Sequence, residues 1–113
     1  SVAHIRRLQQ LQKRILGQAW QLLKPGGTLV YSTCTMAPEE NEAVIDYFLR
    51  SHANAAIEPL EFSLLNKVSC VTEWNGKKFS PHVQSCLRLA PSKHIEAFFV
   101  CKLRKLDETL NLE

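Results

Sequence analysis

An amphipathic helix that leads directly into a short apolar strand is the feature that most constrains the fold of this chain. In residues 5–23, apolar side chains recur at spacings of three and four, with Gln, Lys and Arg between them, which predicts a helix. The Lys-Pro-Gly-Gly segment at 24–27 ends this helix, because proline cannot continue its hydrogen-bond ladder and glycine permits a tight exit. The β-branched and aromatic residues of 28–33 then predict a strand that is buried on both faces, as in a parallel sheet.

A second helix and a second strand are predicted further along the chain. Pro38 with acidic residues just behind it is typical of a helix N-terminus, and the apolar residues that follow carry this helix to about Ser51. Residues 57–60 are a candidate strand, weakened by Pro59, which has no N–H group to donate to a neighbouring strand.

The remaining part of the chain is less regular until its last strand. Residues 61–87 predict irregular structure with a turn at Asn75-Gly76. Residues 96–103 contain a run of aromatic and β-branched side chains and predict the final strand. Residues 106–113 are expected to form a charged tail that frays.

The alternation of helices and strands predicts an α/β fold. With 113 residues, of which 45% are apolar, the chain has the length of one small domain and the composition of a globular protein. About three strands are predicted, however, which is fewer than a doubly wound domain contains, and the opening helix has no strand before it to cover. We therefore expect the chain to form one half of a larger fold.

Cysteine is the residue type with the clearest chemical potential here. The four cysteines, at 34, 70, 86 and 101, form no C-x-x-C pair and have no histidine at zinc-finger spacing, so neither a metal site nor a disulfide framework is predicted. Cys34 follows a strand and precedes a helix, and functional groups of open α/β sheets lie beyond the carboxyl ends of strands. A helix N-terminus also lowers the pKa of a thiol. From position alone, Cys34 is equally well interpreted as a nucleophile or as a core residue, whereas Cys101, after Phe-Phe-Val, is interpreted as core.

Positive charge is concentrated in the first third of the chain. The net charge is +3, and every charged residue before Glu39 is basic. Such a segment can approach a phosphate backbone, although a solvated helix face is the more common explanation. The sequence contains no apolar run of transmembrane length and no apolar block at its N-terminus, so we expect a protein inside the cell.

Other residue types give weaker signals. The histidines at 4, 52, 82 and 94 have no acidic residue at a triad-like spacing, and Trp20 and Trp74 are interpreted as packing residues. A glycine-rich phosphate loop is absent from the sequence.

Two segments resemble the Sun (Fmu/nucleolar protein) family of RNA cytosine-5 methyltransferases. The specific part is Ser-Thr-Cys at 32–34 followed by Pro-Glu-Glu-Asn-Glu at 38–42, whereas Leu-Lys-Pro-Gly-Gly before a strand occurs in many methyltransferases. Arg88-Leu-Ala-Pro91 and residues 98–104 are similar to the closing Arg-x-x-Pro and final strand of the family. The resemblance implies the C-terminal half of a Rossmann-like class I methyltransferase sheet with an antiparallel last strand. Residues 1–105 would then be a partial catalytic domain.

The resemblance also implies a reaction. The cysteine that matches Cys34 is the nucleophile of the family, which adds to carbon 6 of a cytosine in rRNA or tRNA so that carbon 5 takes a methyl group from S-adenosylmethionine. The target base has to leave its stack to be reached. The candidate supports of the active-site loop are Thr33, Thr35, Pro38, Glu40 and Asn41. The candidate RNA contacts are Arg6, Arg7, Lys13, Arg14 and Arg88.

Several segments of the family have no counterpart in this sequence. Its S-adenosylmethionine-binding segments and its Asp-x-Pro-Cys segment lie upstream of the first helix, so no cofactor-binding residue is identified and the missing N-terminal half is an expected partner. Ser92 and Ala97 stand where the family usually has histidine and glycine. The fragment alone is expected to be inactive and to self-associate through an open sheet edge. The protein is expected in the cytoplasm, or in the nucleolus of a eukaryote.

A non-enzymatic module that binds RNA or dimerises through the basic first helix is the alternative function. It predicts an RNA affinity that falls steeply with salt and does not depend on Cys34. A generic thiol enzyme is disfavoured, because no histidine is placed to pair with Cys34.

Overall fold

The structure, a computed structural model, describes residues 2–60, 67–93 and 96–106. The elements in these residues are α1 (Val2–Leu22), β1 (Thr28–Thr33), α2 (Glu42–Ser51), β2 (Ala55–Glu58), β3 (Lys67–Val68), β4 (Glu73–Trp74), β5 (Lys77–Lys78), a 3₁₀ helix (Pro81–Ser85), β6 (Leu87–Leu89) and β7 (Phe98–Lys105). Five of the strands form one sheet, and β4 and β5 form a separate hairpin.

Strand β7 is the centre of the five-stranded sheet. β1 pairs with one edge of β7 over its whole length, while β2 and β6 share the other edge and β3 extends β6. All of these pairs are antiparallel, so β1 and β2 run in the same direction on the two sides of β7. The predicted antiparallel last strand is therefore confirmed.

The predicted helices and long strands are present with small shifts at their ends. α2 begins at Glu42 rather than at Pro38, after a turn, and ends at Ser51 as predicted. β2 stops at Glu58, directly before Pro59, because proline cannot extend the ladder. The turn between β4 and β5 has Asn75 at φ 52° and Gly76 at φ 79°, the two positive values that a two-residue hairpin turn requires.

The expectation that the first strand is buried on both faces is wrong for the described residues. Exposure alternates along β1, and Val30 is 58% exposed. Only one face of β1 packs against the core, where Tyr31 meets Phe99 edge-on at 6.5 Å between ring centroids. The described residues provide nothing to cover the other face. The short strands β3 to β5 lie within the segment predicted to be irregular, and β6 begins at its end; none of these four strands is predicted from the sequence.

The core lies between the two helices and the inner face of the sheet. Trp20 of α1 meets Phe48 of α2 edge-on at 4.9 Å, and Phe48 stacks on His52 at 4.0 Å. The Lys105 ammonium donates to the carbonyls of Trp20 and Leu23, which satisfies groups at the end of α1. These contacts fix α1 over β7 and leave the carboxyl end of β1 accessible.

Candidate active site

Cys34 is the first residue after β1, at the carboxyl end of the strand. It is exposed, whereas Cys86 and Cys101 are buried and Cys70 is half-buried. The core position predicted for Cys101 is confirmed. Because α2 begins at Glu42 rather than near Pro38 as predicted, the loop of residues 34–41 separates Cys34 from the helix N-terminus.

The side chain of Asn41 holds this loop on both sides of the cysteine. Thr33, just before Cys34, donates a hydrogen bond from its Oγ1 to Asn41 Oδ1. Asn41 Nδ2 donates to the carbonyl of Thr35, just after Cys34, at 2.8 Å. Asn41 is fully buried, so these bonds form away from competing water. One amide therefore fixes the backbone that presents the exposed thiol.

A buried ion pair holds the middle of the loop to strand β6. Arg88 donates from Nε to Glu42 Oε2 at 2.7 Å and from Nη2 to Glu42 Oε1 at 2.6 Å. Its Nη1 donates to the carbonyl of Met36 at 2.9 Å, and the Val71 N–H donates to Glu42 Oε2. Bidentate pairs of this kind combine strength with fixed geometry. We call this pair and its bond to Met36 the Arg88 clamp.

Further bonds close the end of the loop and join it to β1 and α1. The Pro38 carbonyl accepts from the N–H groups of Asn41 and Ala43, which closes the turn before α2. Tyr31 donates its hydroxyl to the carbonyl of Glu40 at 2.7 Å, and Gln12 Nε2 donates to Glu40 Oε1. Burial, with the nearby Glu40 charge, raises the pKa of the Tyr31 phenol, so it stays a proton donor.

The structure brings together all five residues proposed as loop supports, namely Thr33, Thr35, Pro38, Glu40 and Asn41. Sequence reasoning missed the role of Glu42, although it lies within the Pro-Glu-Glu-Asn-Glu segment that carries the resemblance. Its partner is 46 positions away along the chain, and no spacing rule connects them.

The prediction that Arg88 contacts RNA does not fit its position. Arg88 is only 3% exposed, and three of its N–H groups are directed to Glu42 and Met36. A guanidinium bound in this way is not available to a phosphate group. The structure instead places Arg88 as a support of the loop that carries Cys34.

The other basic candidates lie on α1. Arg6, Arg7 and Arg14 are exposed, while the Lys13 ammonium lies 4.1 Å from the centroid of the Tyr47 ring. Burial and the nearby Lys77 charge lower the pKa of Lys13.

The described residues contain no group of three His, Cys, Asp or Glu side chains arranged to hold a metal ion. Within the same residues, no helix is both long and apolar enough to cross a membrane.

Comparison with known proteins matches this chain to RNA-modifying enzymes. The family model described as 16S rRNA methyltransferase RsmB/F matches residues 1–104. The tRNA (cytosine(49)-C(5))-methyltransferase of Pyrococcus abyssi is 43% identical over 97 residues, which cover 85% of this chain and 30% of the relative. A probable ribosomal RNA small subunit methyltransferase B of Synechocystis is 38% identical over 103 residues, covering 91% of this chain and 21% of that protein.

A solved structure agrees with the fold. The crystal structure of a methyltransferase homologue from Pyrococcus horikoshii superposes with a TM-score of 0.83 at 37% identity, over 94% of this chain and 33% of that chain. This chain therefore spans about a third or less of the length of these matched proteins.

Proposed function

Since the chain belongs to the RsmB/F family of 16S rRNA methyltransferases, we propose that residues 1–105 are the C-terminal part of the catalytic domain of a longer RNA (cytosine-5) methyltransferase. Membership confirms the resemblance to Sun-type enzymes, and the likeness to the Pyrococcus horikoshii structure confirms the α/β methyltransferase sheet. One observation carries the proposal: the exposed thiol of Cys34 stands at the carboxyl end of β1, with its neighbours on both sides bonded to the buried amide of Asn41.

Cys34 is the nucleophile in this proposal. Its thiolate forms a bond from Sγ to carbon 6 of the target cytosine, and the electron pair of the 5,6 double bond moves to carbon 5. Carbon 5 then takes the methyl group and loses its proton to a base, after which the Sγ–carbon 6 bond breaks and the double bond returns. The thiol is regenerated, so the cysteine acts as a covalent catalyst.

The loop supports act by fixing the position of the thiol. Asn41 and the Arg88 clamp hold the backbone on both sides of Cys34 before substrate arrives, so less conformational entropy is lost in reaching the reactive geometry. Arg88, Glu42 and Asn41 are therefore positioning residues. Their loss should slow adduct formation more than it weakens RNA binding.

S-adenosylmethionine, the methyl donor that the resemblance implies, would supply an electrophilic methyl group to carbon 5. The carboxylates of Glu42 and Asp46 are fully buried and already accept bonds from Arg88 and Arg50, so neither is available to hold the donor's ribose. The donor-binding segments of the family have no counterpart in this sequence. We assign donor binding to the N-terminal part of the same domain.

The exposed side of the sheet supports this division. The outer edge of β1 has no strand partner among the described residues, and Val30 and Ile15 beside it are 58% and 54% exposed. In the absence of the N-terminal part, this edge would favour self-association.

An activity on rRNA or tRNA would place the enzyme in the cytoplasm, or in the nucleolus of a eukaryote.

The proposal is tested in the full-length gene product by transfer of a labelled methyl group to rRNA and tRNA transcripts. Cys34→Ala should abolish transfer, because it removes the thiol that adds to carbon 6. Cys70→Ala is the matched control, since Cys70 is a half-buried cysteine outside residues 34–41, and it should retain activity. Methyl transfer by Cys34→Ala at the wild-type rate would refute the assignment of the nucleophile.

A non-enzymatic RNA-binding module remains a second candidate, because Arg6, Arg7 and Arg14 are exposed along α1. It predicts RNA affinity without methyl transfer in the full-length protein, and equal affinity in Cys34→Ala. Absence of RNA binding at low salt would exclude it.

A further inference from the structure

A cleft between α1, α2 and the β4–β5 hairpin combines positive charge with an exposed aromatic ring. It has a volume of about 370 Å³, within the range of ligand-binding pockets. The lining residues that matter are Arg6, Lys13, Glu39, Tyr47, Trp74 and Lys77. Three of these are cations and one is an anion, so the cleft attracts negatively charged groups.

The hairpin presents its two functional side chains together. Trp74 and Lys77 are direct partners in the β4–β5 register, so their side chains project from the same face. Trp74 is 40% exposed, which is unusual for so large an apolar ring. The turn at Asn75-Gly76 has the two positive φ angles that fix such a hairpin.

Polar contacts also anchor the hairpin to α2. Ser80 donates its N–H to Asp46 Oδ1 at 2.7 Å, and Arg50 Nη2 donates to the carbonyl of Lys78. Lys77 lies 4.0 Å from Asp46 Oδ2, but that carboxylate is already bonded to Arg50 at 2.9 Å. The Lys77 pair with Asp46 is the longer of the two, and the Lys77 side chain is 61% exposed, so its ammonium can also reach a ligand in the cleft.

The arrangement of charges favours an anion between α1 and the hairpin. Lys13 lies over the ring of Tyr47, and its pKa is lowered by burial and by the charge of Lys77. Two ammonium groups that repel each other across a cleft are stabilised when an anion binds between them. The face of Tyr47 beneath Lys13 is occupied, so Trp74 is the ring available for stacking.

The cleft borders the loop that carries the nucleophile, because Glu39 belongs to residues 34–41 and lines the cleft. We propose that the cleft binds an RNA nucleotide that flanks the target cytosine, with its base stacked on Trp74 and its phosphate between Lys13 and Lys77. This inference rests on the proposed function, since it places the flanking nucleotide of the same substrate. Stacking on an aromatic platform next to backbone-binding cations is the common mode of single-stranded nucleic acid recognition.

The test measures the affinity of the full-length protein for a short fluorescein-labelled single-stranded RNA by anisotropy. Trp74→Ala should weaken binding about 5- to 150-fold, the effect of losing one stacked base. Trp74→Phe keeps an aromatic face and should recover most of the affinity. Lys13→Gln should weaken binding and lower the salt dependence by about 0.7 in the slope of log K against log salt. Lys24→Gln, which removes an exposed cation outside the cleft, is the matched control and should leave both quantities unchanged.

Kinetics separate this inference from the proposed function. If both hold, Trp74→Ala raises KM for RNA and changes kcat little, while Cys34→Ala abolishes turnover with unchanged affinity. If Trp74→Ala and Lys13→Gln bind RNA as tightly as the wild type while turnover depends on Cys34, the cleft proposal is overturned and the proposed function stands. If no variant or wild type transfers methyl groups but Trp74→Ala weakens RNA binding, the cleft stands as an RNA-binding surface and the enzymatic proposal fails.

Discussion

Replacing Arg88 by Met should strongly destabilise the protein, because it leaves the carboxylate of Glu42 buried without its counterion. In the Arg88 clamp the guanidinium donates two bonds of 2.7 and 2.6 Å to Glu42 and a third to the Met36 carbonyl. After the substitution, the Val71 N–H is the one bond to this carboxylate that the structure describes. Leaving one member of a buried pair uncompensated costs about 3–5 kcal/mol. This is a large part of the roughly 5–15 kcal/mol that stabilises a typical domain.

The assay is urea unfolding followed by far-ultraviolet circular dichroism. Lys24→Met is the control, because it removes an exposed basic side chain of similar length. The double variant Glu42→Gln/Arg88→Met should be more stable than Arg88→Met alone, since the buried charge is gone. A loss below about 1 kcal/mol in Arg88→Met, or a double variant whose loss equals the sum of the single losses, would refute the reasoning.

The remaining predictions concern the loop and its supports. Asn41→Leu keeps the approximate side-chain size without burying a charge but loses the bonds to Thr33 and Thr35. In steady-state assays kcat should fall about ten-fold with KM for RNA unchanged, and equal kcat values would contradict this. Brief alkylation with iodoacetamide at neutral pH should label Cys34 before Cys70, because Cys34 is exposed while the Cys70 thiol is half-buried and burial raises its pKa to about 12. Peptide mass spectrometry that finds Cys70 labelled first would contradict this. Burial raises the pKa of Tyr31 above its ordinary 10.0, so its contribution to stability is complete below that pH and is lost as the pH rises above it. Urea unfolding of Tyr31→Phe should show a smaller alkaline loss than the wild type, and equal losses would exclude this role.

The long elements were predictable from two kinds of signal. The spacing of apolar residues identifies α1 as a helix, and runs of β-branched and aromatic residues identify β1 and β7 as strands. β3 to β6 contain two or three residues each, too few for any period to be visible. The prediction of a strand buried on both faces is wrong because the outward residues of β1, Thr28, Val30 and Ser32, are exposed in the described residues, and two of these three side chains are polar.

The candidate site was predictable in part for a similar reason. Cys34 and its nearest supports lie within one continuous segment, so a local motif identifies them together. The Arg88 clamp joins a helix to a strand that is distant in sequence. Arginine is usually exposed and is buried only when it is paired, so the sequence alone favours an exposed Arg88. Its burial became visible only in the folded chain.

Covalent trapping of RNA that contains 5-fluorocytosine tests the central claim most directly. Fluorine replaces the proton that carbon 5 must lose, so the adduct with the nucleophile persists after methyl transfer. We expect digestion of the trapped full-length protein and mass spectrometry to locate the nucleotide on the peptide that contains Cys34. A nucleotide attached to another residue, or an adduct that still forms in Cys34→Ala, would contradict the account.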